Sequence, residues 1–552
     1  MNEIKKHAWM RLTKSSGRVS GTGISGQTQD SLRTADAILV RKGARPGVAG
    51  GFFFPAWASA NPREMPISKL PGPAVGPRWR NSLWSAPMPA TSSGILAVGQ
   101  AGPLGPFHSL ALGLAIAVVL IIYSRLSEAL AAALGFNPYL VLLLSVSAFL
   151  LMIPTGGLAR AFLAKPGIFL TLFTVWLLLI TPFSVWRSGS VVLLRDYWSK
   201  SYILYLILAG LIVSVGHCRK VLYAIGIAGM LVEIIAFRER VSSWERLATG
   251  FGSFSNPNEL AFYLLFSFPG CLLLILEGKP FSFRRLFGLA SAVLVFLLAF
   301  QNGSRAALIM MIAVLAFLIL TASFVNKAKI LVAVIAVGVI AFATGGPGTI
   351  LRYRTMFEDV APQEADSVEV GRAVGSTQAR KNLLKASLIM TMQNPLLGVG
   401  PGMFNVAASE DPYTARVLFA AWHETHNTFT QVSSETGIPG FLLYLGTMGS
   451  CFYIAIRVYR DTKRRPGMEL HRKLAYCLLV ACINYAVGGM FGSSAYNFFL
   501  PTLAGLCAAL YGCYRVDLAS LSVSPVPPQE PAYGFSRSKF ASASSTRTWR
   551  HR

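Results

Sequence analysis

Three side chains in this sequence carry chemistry that an apolar helix does not need: Arg305, Arg380 and His426. Arg305 lies in QNGSRAAL, at the mouth of an apolar segment. A charge buried in a bilayer costs about 2.5–3.5 kcal/mol at a helix centre and less near the interface, so this arginine either snorkels to lipid headgroups or holds an anion. Its guanidinium fork suits the oxygens of a phosphate. The Asn302-Gly303-Ser304 turn before it lets backbone approach closely and opens a helix whose first N–H groups favour the same kind of ligand. Arg380 opens RKNLLKASLIMTM, where it is either a solvated face residue or a second anion ligand. His426 stands in HETHNTFTQVSSETGIPG beside Asn427 and Thr428. An imidazole there can take a proton near neutral pH, with Glu424 and Glu435 near enough in sequence to orient or tune it. His423 is a rival for that role, and His423, His426 and a glutamate could instead bind zinc, although HxxH spacing fits one helical face poorly without a third firm ligand.

The elements that must position these groups are membrane helices. The chain has 552 residues, 53% of them hydrophobic and 13% charged, with a mean hydropathy of +0.52, which excludes an ordinary soluble protein. Crossing the hydrocarbon takes roughly 17–25 mostly apolar residues, and about twelve windows near that length follow residue 106. The expected organisation is a disordered basic cytoplasmic tail over 1–106, nine transmembrane helices over 107–344, a periplasmic loop with an amphipathic helix over 345–436, three further helices over 437–515, and a second disordered tail over 516–552. The opening segment lacks a long apolar stretch followed by a cleavage site, so it does not read as a signal peptide. With both termini inside, the short connecting loops and the tails carry essentially the whole formal charge of +26. That placement also argues against nucleic acid as the partner, because the basic residues lie in membrane-proximal loops and low-complexity tails. The seven cysteines lie in or beside apolar windows, which indicates neither a disulfide framework nor a metal cluster.

Under this topology four polar clusters fall on one outer face. SNPNEL supplies Asn256 and Asn258, NGSR supplies Ser304 and Arg305, Arg380 opens the loop helix, and His426, Asn427 and Glu435 close the loop. Asn256, Asn258, Ser304, Asn427 and Glu435 are therefore candidate substrate-binding residues beside the two arginines. The loop holds seven basic and nine acidic residues, so it is no general anion trap and any phosphate site must be built from selected side chains. In RKNLLKASLIMTM, Leu384, Leu388 and Met392 recur at fourfold spacing, which predicts an amphipathic helix that NPLLGVGPGMFN then terminates. At a bilayer surface these groups suit a reaction on a lipid-linked phosphate. Arginines would stabilise a departing diphosphate, and a histidine would take or orient the proton of an attacking alcohol such as a sugar hydroxyl.

GSFSNPNELAFYL, NGSRAALIM, RKNLLKASLIMTMQNPLLGVGPGMFN and THNTFTQVSSETGIPGFLLYL resemble, in that order, the sequence blocks of the O-antigen ligase family, which also includes many O-antigen and exopolysaccharide polymerases. NPLLGVGPG and HNTFTQVSSETGIPG together are the specific part. The resemblance implies a twelve-helix fold of the glycosyltransferase C superfamily in a bacterial inner membrane, working at the periplasmic face without metal, cofactor or nucleotide sugar. It implies an undecaprenyl-diphosphate-linked glycan as donor, transferred with inversion to a hydroxyl of a glycan or lipid A core acceptor. By motif position, Arg305 and Arg380 would hold diphosphate and His426 would handle the acceptor proton, while His423 falls outside the matched position. The departures from the family pattern are the long N-terminal tail and SSETG, where many relatives carry a more apolar run. A transporter or flippase for lipid-linked glycan and a structural scaffold are the readings from other classes; a transporter would place its binding groups near the midplane on interrupted helices.

Overall fold

The computed structural model describes residues 105–238, 247, 256–345, 347–354, 368–412 and 424–522. The tail expected over 1–106 lies almost wholly outside them, as does most of the second, because the last helix continues to Ser522. Every regular element among the described residues is helical, and the chain is an all-α multi-pass membrane protein. The helices that matter here are α1 (Pro106–Ser124), α2 (Leu140–Met152), α3 (Lys165–Ile180), α4 (Ser199–Leu211), α5 (Val215–Arg238), α6 (Pro257–Glu277), α7 (Phe283–Gln301), α8 (Arg305–Thr321), α9 (Phe324–Thr344), α10 (Pro347–Arg354), α11 (Val368–Gln393), α12 (Thr428–Thr462), α13 (Glu469–Gly489) and α14 (Phe499–Ser522). Each apolar window of the sequence holds one helix, α1 to α9 or α12 to α14.

Among the described residues, eight helices are long and apolar enough to cross a bilayer by length and composition, fewer than the windows suggested. The difference has local causes. The α2 helix stops at Met152 and continues as a 3₁₀ turn over Ile153–Thr155. The α4 helix is the last part of one run that begins as Arg187–Leu193 and widens into a π turn at Leu194–Trp198. The α8 helix has 17 residues, and α13 opens on the charged ELHRK.

The bundle packs around α6, most of whose residues are buried, whereas α9 buries only Ala341 and turns an otherwise apolar surface outward, as a lipid-facing helix does. The α5 and α6 helices meet through Gly226 and Gly270, where a Cβ on Gly226 would lie 2.8 Å from the Gly270 carbonyl carbon. Small residues at such a crossing bring backbones into van der Waals contact, which is what drives helix association where lipid replaces water. Nearby, the buried Glu233 of α5 accepts from the Ser291 hydroxyl of α7 at 2.8 and 2.9 Å, so an acidic group missed in the apolar windows has a hydrogen-bonding partner.

The helix expected at RKNLLKASLIMTM is the C-terminal part of α11, with a different face docked. Leu384, Leu388 and Met392 are exposed, while Leu383, Ala386 and Met390 pack against Phe404 and Ala408. Each residue turns the helix by about 100°, so an offset of one position changes which stripe is buried. The small Ala386 and Ser387 on the docked side permit a close approach, and Thr391 Oγ1 lies 2.9 Å from Ser433 Oγ of α12.

Candidate functional site

Three helix starts converge on the site, and each is built by a polar residue singled out in the sequence. Asn256 caps α6, its Oδ1 accepting the Asn258 N–H at 3.0 Å, with Pro257 at the first helical position where its missing N–H costs nothing. Ser304 caps α8 by accepting the Ala307 N–H at 3.4 Å, and its hydroxyl donates to Asn258 Oδ1 at 3.1 Å, tying α6 to α8. Asn427 caps α12 by accepting the N–H groups of Phe429 and Thr430 at 2.9 and 3.2 Å. The capping atoms of Ser304 and Asn427 are thus engaged in building the frame, whereas Asn256 and Asn258 also face a cavity.

That cavity, of about 60 Å³, is lined by Asn256, Asn258, Ala306, Ala307, Glu424 and His426 among others. His426 therefore shares one space with the first turn of α8, immediately after Arg305. His423 lies outside the described residues. The backbone of His426 is left-handed, with φ of 51°, a conformation that costs a non-glycine residue about 1–3 kcal/mol unless its surroundings impose it. They do. Its N–H donates to Ser493 Oγ at 3.0 Å, Thr425 Oγ1 lies 3.2 Å from the same hydroxyl, and Thr428 Oγ1 donates to the Gly492 carbonyl at 2.7 Å. The hydroxyl-rich strip thus pins the histidine to the turn between α13 and α14. Sequence reasoning passed over that turn, GSSAYN, although it was a further polar connection on the same expected face.

The arginines form a group of three. The α10 helix docks on the turn before α8: the Tyr353 hydroxyl donates to the Phe300 carbonyl at 2.8 Å, Thr349 Oγ1 to Gln301 O at 3.2 Å, and Arg352 Nε to Gly303 O at 3.3 Å. Arg352 is buried, and its charge and that of Arg380 both act on Arg305. Burial, and after it the charge of Arg352, holds the Arg380 guanidinium below the usual arginine range. Like charges gathered out of water raise one another's cost, and a polyanion bound among them removes it. The docking of α10 is what brings Arg352 to the NGSR turn, a contact that no spacing along the chain records.

Glu435 has a structural task. Its buried carboxylate accepts from the Gly402 N–H at 2.9 Å, the Phe404 N–H at 3.4 Å and the Tyr496 hydroxyl at 2.7 Å, and it is not among the cavity-lining residues. It clamps the NPLLGVGPG turn against α12, where the Val399 and Gly400 N–H groups also donate to the carbonyls of Ser434 and Glu435. The sequence makes it a candidate substrate ligand; here its carboxylate meets two backbone N–H groups and the Tyr496 hydroxyl. Two residues on, α12 breaks at Gly437, whose φ is 70° and whose added Cβ would lie 2.2 Å from the Leu396 carbonyl oxygen. Gly437→Ala is expected to destabilise the protein by about 1–3 kcal/mol through strain at this φ, with the clash adding to it. A melting temperature in detergent unchanged from wild type would refute the clamp.

Residues 290–445 match the O-antigen ligase family. The matched segment runs from α7 to the first half of α12 and holds Arg305, Arg352, Arg380, His426 and Glu435. The match supports a ligase- or polymerase-type activity in a glycosyltransferase-like membrane enzyme. Asn256, Asn258 and the GSSAYN turn lie outside it. No curated protein matches the chain closely.

Proposed function

We propose that the protein transfers a glycan from undecaprenyl diphosphate to an acceptor hydroxyl at the periplasmic face of a bacterial inner membrane, as an O-antigen ligase acting on lipid A core or a similar acceptor. A polymerase of the same family, with a growing glycan as acceptor, shares the donor half of this chemistry. The observation that carries the reading is the common cavity of His426 and the α8 N-terminus, with Arg352 bonded to the turn that Arg305 follows and the charge of Arg380 acting on Arg305. In the proposed step the acceptor oxygen attacks the anomeric carbon of the donor sugar from the face opposite the diphosphate. The new carbon–oxygen bond forms as the anomeric carbon–oxygen bond to phosphorus breaks, and undecaprenyl diphosphate leaves with the electron pair. The acceptor proton passes to the His426 imidazole, and the arginines offset the charge that develops on the leaving diphosphate. Inversion at the anomeric carbon and independence from metal belong to this proposal.

A flippase is less well supported, since it would hold its ligand near the bilayer midplane on interrupted helices, and Asn256, Ser304 and Asn427 all stand at helix starts. The deciding experiment is reconstitution of the purified protein in vesicles with undecaprenyl-diphosphate-linked glycan and a panel of acceptors. Glycan appearing on an acceptor together with released undecaprenyl diphosphate supports the reading. Movement of donor between leaflets without transfer overturns it.

A further inference from the structure

The cavity has a second half that differs in charge from the arginine group. Besides Asn256, Asn258 and His426 it is lined by Arg125, Glu259 and Glu424. Arg125, in the break between α1 and the helix Leu126–Leu134, already bonds Glu128 Oε1 through Nη1 at 2.5 Å and lies 5.3 Å from the Phe498 ring centroid. Glu259 stands in the first turn of α6, accepts from Asn256 Nδ2 at 3.4 Å, and feels Glu424 as a like charge. A carboxylate in a first helical turn has a purely structural use in complementing the helix dipole. That use accounts for Glu259 but not for Glu424, which comes from a different element and faces the same space. The Ser304–Asn258 hydrogen bond therefore joins two unlike regions, with Arg305 and Arg352 at the NGSR turn under the charge of Arg380 and, inside the cavity, two carboxylates against one salt-bridged arginine.

A volume of about 60 Å³ gives room for about four water-sized groups, so the cavity can take a hydroxyl-bearing edge of a sugar and not a whole disaccharide. Carboxylates and asparagine amides accept from and donate to such hydroxyls. A phosphate or uronate brought to the same wall meets like charge in a partly desolvated space.

We propose that this cavity seats the acceptor sugar, and that Glu259 and Glu424 restrict it to neutral or cationic saccharides, turning away acceptors with an anionic group beside the reactive hydroxyl. The proposal rests on the donor–acceptor reading above and adds the chemical class of the acceptor. It assigns the arginines to the donor and the carboxylates to acceptor choice, so that opposite charges sort the two substrates to opposite sides of one turn.

The test uses the full-length protein in vesicles with undecaprenyl-diphosphate-linked glycan and three soluble acceptors, methyl glucoside, methyl glucosaminide and methyl glucuronide. Retention of undecaprenyl diphosphate by the protein is measured separately. The wild type is expected to use the glucuronide at least about tenfold less well than the other two, and E259Q/E424Q to raise its rate relative to the glucoside by about tenfold. Equal use of all three by the wild type overturns the proposal. So does an unchanged ratio in a double variant that still retains undecaprenyl diphosphate. If the double variant loses that lipid through misfolding, E424Q alone and the wild-type acceptor series decide the matter. Failure of the wild type to retain the lipid would instead bring down the donor reading, and the acceptor assignment with it.

Discussion

His426→Ala is expected to lower glycan transfer by roughly 10²–10⁴-fold, the range over which a positioned acid or base contributes to a proton transfer. The geometry argues for the upper part of that range. His426 is held in a left-handed backbone conformation by Ser493 and lines the cavity next to the first turn of α8, so its imidazole is positioned in advance of the reaction. Protein levels and the melting temperature should stay near those of the wild type, because the side chain removed is not a capping group and histidine and alanine both bear the cost of the left-handed φ. In cells the donor lipid should accumulate in the periplasmic leaflet. Accumulation in the cytoplasmic leaflet would mean that the histidine serves flipping instead, and unchanged glycan output would leave the protein a scaffold. Ser493→Ala should reproduce part of the loss, since it removes the hydroxyl that fixes the histidine backbone without touching the imidazole.

The second large effect is expected at the arginines. Arg305→Ala should cost about 10²–10³-fold in transfer, comparable to removing one preorganised donor from a site where negative charge develops. Arg352→Ala should cost at least as much, for two reasons. It removes a buried positive charge acting on both Arg305 and Arg380, and it removes the Nε–H bond that holds the Gly303 carbonyl at the start of the Ser304-capped helix. Arg352→Lys separates the two contributions, because lysine keeps the charge and loses the planar fork. Partial recovery of transfer by lysine, with donor binding restored more than the rate, is the expected pattern. Wild-type rates in Arg352→Ala would exclude α10 from the site and leave the donor to Arg305 and Arg380.

These expectations rest unequally on sequence and structure, and particular residues show why. NGSR and HNTF could be read as a capped anion-favouring turn and a histidine strip because turn chemistry and capping are properties of a few adjacent residues. The same locality leaves two placements to the packing. Glu435 looked like a ligand for substrate or histidine, yet its carboxylate meets the backbone of Gly402 and Phe404, a pairing fixed by how the NPLLGVGPG turn folds back on α12. The stripe Leu384, Leu388 and Met392 was identified as apolar, yet the docked face is the adjacent one, chosen by the small residues that let α11 approach α12.

By itself the sequence determined that this is a polytopic all-helical membrane protein and singled out Arg305, Arg380 and His426, because apolar run length, positive-charge placement and turn residues are written locally along the chain. Tertiary structure alone decided that Arg352 joins the arginines, that four expected ligands act first as caps or clamps, and that Glu259 and Glu424 face the cavity with His426. The physical reason is that a polar atom's role depends on which donor or acceptor reaches it first, and here those partners come from segments far apart in the chain that only the packed bundle brings within hydrogen-bonding distance.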